Sequence, residues 1–120
     1  MKPILSAAAA ALFASSPALA QDLTGAWTVS SSVGTTPITV ACALAQTGEV
    51  LTGTCTPAGG TAGPAFTGSV KGSHARWGYD VTFRGQPSHV GFEADITSDT
   101  AMKGVLTLGT RPNAFTAVKN

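Results

Sequence analysis

From Leu23 onward, apolar and polar residues alternate with a period of two in short runs, and Gly, Pro, Ser and Asp break the runs about every ten to thirteen residues. Such alternation marks half-buried strands, and no stretch keeps the 3.6-residue apolar period of an amphipathic helix. The pattern predicts strands over 24–31, 37–46, 50–57, 65–71, 74–84, 88–97, 101–109 and 113–119. The links are short, among them Val33-Gly34-Thr35-Thr36, Thr47-Gly48-Glu49, Gly72-Ser73, Gly85-Gln86-Pro87 and Ser98-Asp99. They join antiparallel neighbours and leave no room for crossover helices. The expected fold is all-β, an eight-stranded antiparallel up-and-down meander that removes its edges by closing into a barrel.

Alternation also assigns the faces. On the fifth strand Ala75, Trp77, Tyr79, Val81 and Phe83 share one phase, and His74, Arg76, Asp80, Thr82 and Arg84 take the other. The apolar phase is the interior. The same rule turns Leu23, Trp27, Val29, Ile38, Val40, Cys42, Leu44, Leu51, Cys55, Phe66 and Val70 inward. The later strands add Val90, Phe92, Ala94, Ile96, Met102, Leu106, Leu108 and Phe115. Gly25, Gly53, Gly68 and Gly104 share these inward positions, where a missing side chain lets a sheet coil tightly.

The two cysteines, Cys42 and Cys55, fall on strands joined by a turn at Gly48-Glu49. A two-residue turn there sets Cys42 opposite Cys55 on a non-hydrogen-bonded pair, the site where a cross-strand disulfide fits. C-x-x-C spacing and a nearby His are missing, so a redox or metal role is not indicated.

The first twenty residues, MKPILSAAAAALFASSPALA, place Lys2 before an apolar stretch that ends in the small-x-small signature Ala18-Leu19-Ala20. They read as a secretory signal peptide, residues 1–20, ahead of a single barrel domain, residues 21–120. The apolar run is too short and too Ala-rich for a comfortable membrane span. The expected location is periplasmic or secreted, with no membrane insertion after signal removal. After residue 20 the chain keeps six basic and six acidic residues, and only 11% of the whole is charged. That balance excludes steering of nucleic acid or of an anionic membrane.

Leu23-Thr24-Gly25-Ala26-Trp27, Leu51-Thr52-Gly53-Thr54 and Phe115-Thr116-Ala117-Val118 resemble the G-x-W first strand, L-T-G-T hairpin and terminal F-T-x-V strand of small exported lipocalin-like and avidin-type barrels. The resemblance spans nearly the whole of residues 21–120 and implies their closed barrel. Biotin is not implied, because Val29 and Cys55 stand where avidins carry polar and tyrosine ligand contacts. Periplasmic inhibitors of secreted metalloproteases also combine eight strands, an early G-x-W and one disulfide. They insert an N-terminal arm into the protease, for which this chain has only Gln21 to Thr24.

Candidate ligand contacts are the inward Trp27, Trp77, Tyr79, Phe83, Phe92 and Met102. An eight-stranded barrel is just wide enough for its own side chains or for one small ligand. The first expectation is therefore non-covalent binding of a small hydrophobic molecule. The alternatives are a protein-binding inhibitor and a barrel isomerase or cyclase in which Tyr79 donates a proton. No hydrolase, zinc-protease or nucleotide-binding motif occurs, and neither a catalytic residue, a metal nor a cofactor is assigned. Arg76, Arg84, His89, Glu93 and Asp95 gather on the fifth and sixth strands as a candidate partner surface; the sequence is also compatible with an oligomer. The turn between these strands leaves Arg76 facing Asp95 or Arg84 facing His89.

Overall fold

A computed structural model of the protein describes residues 22–120, apart from the Phe83 side chain. The expected signal peptide lies outside the described residues. Eight strands follow in chain order: β1 (Gly25–Val33), β2 (Thr36–Thr47), β3 (Val50–Pro57), β4 (Phe66–Lys71), β5 (His74–Phe83), β6 (Gln86–Ser98), β7 (Ala101–Leu108) and β8 (Arg111–Lys119). Each pairs antiparallel with the next, and β8 returns to β1 to close the barrel. The all-β meander read from the alternation is thus the fold. The closing seam runs from Trp27 opposite Lys119 to Ser30 opposite Thr116, extended by the Asn120 amide donating to the Ala26 carbonyl.

The meander gives the barrel two unlike ends. One carries the β2–β3, β4–β5 and β6–β7 turns with the chain segment entering β1 and the end of β8. Leu23, Trp27, Leu51 and Met102 are completely or almost completely buried toward it, and the Trp27 indole N–H donates to the Leu23 carbonyl at 2.8 Å. The strands can draw together because inward glycines clear the way. A Cβ on Gly104 would land on the Glu93 carbonyl oxygen, and one on Gly68 on that of Arg76.

The opposite end carries the β1–β2, β5–β6 and β7–β8 hairpins and the β3–β4 loop. All the prolines beyond residue 20 are here: Pro37, Pro57, Pro64, Pro87 and Pro112. In each of the three hairpins a proline follows one residue after the closing pair, opposite Ser32, Thr82 or Thr107. Those are non-hydrogen-bonded positions of the hairpin, so the missing N–H would have pointed at the neighbouring strand. No neighbour is there to receive it. The β2–β3 ladder reaches only Val40 opposite Pro57, β6–β7 stops at Val90 opposite Leu108, and β8–β1 stops at Ser30 opposite Thr116. Proline therefore costs no ladder bond and keeps the ladders from extending, which holds the hairpin tips apart.

The β5–β6 register differs from both expected pairings. Arg76 faces Glu93, His74 faces Asp95 and Asp80 faces His89. The turn is Arg84-Gly85, with both residues at positive φ (55° and 79°), and Gln86 and Pro87 already belong to β6. This is the backbone of a type I′ hairpin, whose twist suits the flanking strands. Pro87 looked like part of the turn in the sequence but sits one pair into the ladder, where its lack of an N–H is tolerated.

Cys42 and Cys55 are opposite each other with Cα atoms 4.0 Å apart and form the disulfide, halfway along the barrel. Closing a loop of this length contributes about 3 kcal/mol in the chain-entropy model. The double substitution Cys42→Ser/Cys55→Ser is expected to lower the unfolding free energy by roughly that amount. Urea unfolding of the oxidised protein against the variant measures it, and a free-thiol assay on denatured, unreduced protein should find none.

Candidate functional site

The short β4 decides where the interior stays open. It pairs with β3 only from Val50 to Gly53 and with β5 only from Arg76 to His74. Toward the proline-bearing end, β3 and β5 have no strand between them, and residues 58–65 fill that wall. This segment, Ala-Gly-Gly-Thr-Ala-Gly-Pro-Ala, is tied down by the Ala58 amide on the Thr39 carbonyl and the Gly63 amide on the Cys55 carbonyl, both at 2.9 Å. Its side chains are small, so the wall encloses space instead of filling it.

The result is a cavity of about 690 Å³ opening at the proline-bearing mouth. Ile38, Val40, Val81, Val90, Leu106 and Leu108 supply aliphatic surface, Pro37, Pro57 and Pro64 border it, and Tyr79 and Phe92 supply rings. The volume lies within the roughly 300–1,000 Å³ range of small-molecule sites. Cys55 of the disulfide also lines it. Below this level the rings pack together: Trp77 stacks on Phe92 with centroids 4.7 Å apart and on Phe66 at 6.1 Å, and Phe115 meets Phe92 edge-on at 5.5 Å.

Of the six residues singled out from the sequence as ligand contacts, Tyr79 and Phe92 line the cavity. Trp77 lies under Phe92, while Trp27 and Met102 belong to the packed end. The Phe83 side chain lies outside what is described. The sequence reading found the inward phase but not its depth along the barrel, and so it gave no weight to Ile38, Val81 and Leu108 or to the 58–65 wall. The recurring proline just beyond each hairpin turn was the available signal for which end opens.

Tyr79 is the most polar group of the inward phase on β5. Its ring lies between Phe66 and Phe92, at 5.8 and 6.0 Å, and beside Gly63 of the loop. Burial disfavours the phenolate and pushes its pKa from 10.0 to about 12. Trp77 Nε1 is buried without a hydrogen-bond partner among the described residues. Such a donor is costly, at about 1–3 kcal/mol, where water cannot reach it.

The charged candidates stand outside the barrel. Arg76 donates to Glu93 at 2.8 Å, His74 lies 3.5 Å from Glu93 and 3.4 Å from Asp95, and His89 Nδ1 lies 2.8 Å from Asp80. Arg84 is in the β5–β6 turn, away from the strand face. The facing pair Gly78 and Gly91 leaves a shallow depression between Arg76, His89 and Glu93. Among the described residues no group of three or more His, Cys, Asp or Glu is gathered to hold a metal ion.

Fold and site together define a closed antiparallel barrel, packed at one end and hollow at the other. This closed eight-stranded meander is the architecture that lipocalins and streptavidin also use. Comparisons with family models, curated proteins and solved structures find no match to the chain.

Tyr79 is the chain's single tyrosine, so ultraviolet tyrosinate absorbance reads this residue alone. Its midpoint is expected near 12 in the folded protein and near 10.0 in denaturant. Because the folded pKa is the higher one, Tyr79's contribution to stability is complete below pH 10 and is lost as the pH rises toward 12. A folded midpoint at the denatured value would show a phenol open to water.

Proposed function

We propose that the protein binds one small hydrophobic molecule, non-covalently, in the cavity at the proline-bearing mouth. The observation that carries this reading is the mainly apolar space of about 690 Å³ walled, among the described residues, by aliphatic side chains, two aromatic rings and a side-chain-poor loop. Burying apolar ligand surface there contributes roughly 25 cal/mol per Å² before the costs of association. The disulfide fits an oxidising compartment. With the signal-like first twenty residues, it supports a periplasmic or secreted protein that starts at Gln21.

The competing readings have less behind them. An inhibitor's inserting arm would have to come from residues 21–24. Leu23 of that segment is 1% exposed, its amide is bonded to the Gln46 side chain, and its carbonyl accepts from Trp27. Freeing it would uncover the packed end. An isomerase or cyclase would need a base beside Tyr79. Among the described residues, the one carboxylate residue lining the cavity, Asp80, is turned to His89.

N-phenyl-1-naphthylamine, a neutral probe whose emission rises in apolar surroundings, is expected to bind the purified protein at one equivalent. Val81→Trp, which fills the cavity, should weaken it at least tenfold, and Val105→Ala on the outer surface should leave it unchanged. Equal probe binding by the wild type and Val81→Trp would place the probe elsewhere and overturn the reading.

A further inference from the structure

The polar atoms of the interior narrow the kind of molecule that fits. No polar or charged residue is fully buried among the described residues; Thr39, Thr61 and Thr82 border the cavity, and the hydrogen-bonding side chains of the inward phase are two tryptophans and the tyrosine. Trp27 spends its N–H on the Leu23 carbonyl. Trp77 Nε1 has no partner among the described residues. The Tyr79 hydroxyl makes no hydrogen bond with the protein among the described residues, and burial alone holds its proton more tightly. Both unused groups can donate, and of the two Tyr79 lines the cavity.

Charge points the same way. Among the described residues the lining contains no Lys, Arg or His, and its one carboxylate residue, Asp80, turns that group outward to His89. Arg84 and Arg111 belong to the hairpin turn and strand start at this end and are not part of the lining. A carboxylate drawn into the cavity would lose its hydration without gaining a cation from the described lining. A molecule of bare hydrocarbon would leave the phenol proton without an acceptor.

Resting on the binding reading above, we infer that the occupant is an uncharged apolar molecule bearing a carbonyl acceptor, of the ketone or ester class, with the Tyr79 hydroxyl donating to that oxygen. The rings of Phe92 and Tyr79 bracket the carbonyl end, and Ile38, Val81 and Leu108 receive the hydrocarbon toward the mouth. Trp77 lies one layer deeper, behind Phe92.

Three ligands of matched skeleton test this by displacement of N-phenyl-1-naphthylamine: 4-phenyl-2-butanone, n-butylbenzene and 4-phenylbutanoate. The ketone is expected to bind at least tenfold more tightly than the carboxylate. Tyr79→Phe should weaken the ketone about five- to tenfold, the worth of one net hydrogen bond, and change n-butylbenzene less than twofold. In the wild type, saturating ketone should raise the tyrosinate midpoint above its unliganded value, a readout that needs no substitution. Carboxylate binding as tight as ketone binding, or a ketone affinity indifferent to Tyr79→Phe with an unmoved midpoint, would overturn the carbonyl inference and leave the cavity reading standing. Failure of the probe itself to bind would instead overturn the cavity reading, and this inference with it.

Discussion

Everything in this molecule depends on closing the sheet. A meander of eight strands has two free edges, and each unpaired row of N–H and C=O groups invites pairing with another chain. Here β1 and β8 meet along a short seam from Trp27–Lys119 to Ser30–Thr116. The Ser31 hydroxyl reaches across to the Ala114 carbonyl at 2.7 Å, and Asn120 contacts both the Ala26 backbone and the Thr28 side chain. Closure at this strand number fixes the bore at about the width that side chains can fill. What the protein does then depends on where it fills that bore and where it does not.

The filling is uneven by design of the sequence. Toward the packed end, Leu23, Trp27, Leu51 and Met102 occupy the axis, with inward glycines letting strands approach over them. The disulfide and the Trp77–Phe92 stack form the middle. Beyond them Ile38, Val81, Val90 and Leu108 supply aliphatic side chains, β4 has ended, and the wall becomes a loop of mainly Gly, Ala and Thr. The prolines limit ladder formation between hairpins at the same end. Each of these choices alone is a local detail, but together they leave space at one mouth only. They also place the chain's single tyrosine beside that space, its O–H unused among the described residues.

Much of this architecture could be read before any coordinates. The two-residue alternation located eight strands and the inward phase, and the turn at Gly48-Glu49 fixed the Cys42–Cys55 pair, because a two-residue hairpin leaves one register. The β5–β6 register was harder. Arg84 at positive φ is an unusual turn residue, and Gly85-Gln86-Pro87 has the look of a longer turn. The tolerance for Pro87 comes from the absence of β7 beside it, a tertiary fact that local sequence does not carry. The site was legible only in part for a related reason. Alternation separates inside from outside but says nothing of height along the axis, so Trp27 and Met102 looked equivalent to Tyr79 and Phe92. Ala117, buried in β8, was hidden by the weak alternation of that strand.

The charges have a separate logic. His74, Arg76, Asp80, His89, Glu93 and Asp95 pair across β5 and β6 on the outer face, where ion pairs contribute little individually to stability. They give this side of the barrel polarity, and Asp80, which also borders the cavity, turns its carboxylate outward to His89. The central claim is thus a division of the barrel into a packed half and a hollow, ligand-accepting half. Methyl-resolved NMR during titration with N-phenyl-1-naphthylamine tests it directly. The account predicts shifts at Ile38, Val40, Val81, Leu106 and Leu108 with Leu23, Leu51 and Met102 unmoved. Shifts confined to the outward Val50, Val105 and Val118, or centred on the packed end, would contradict it.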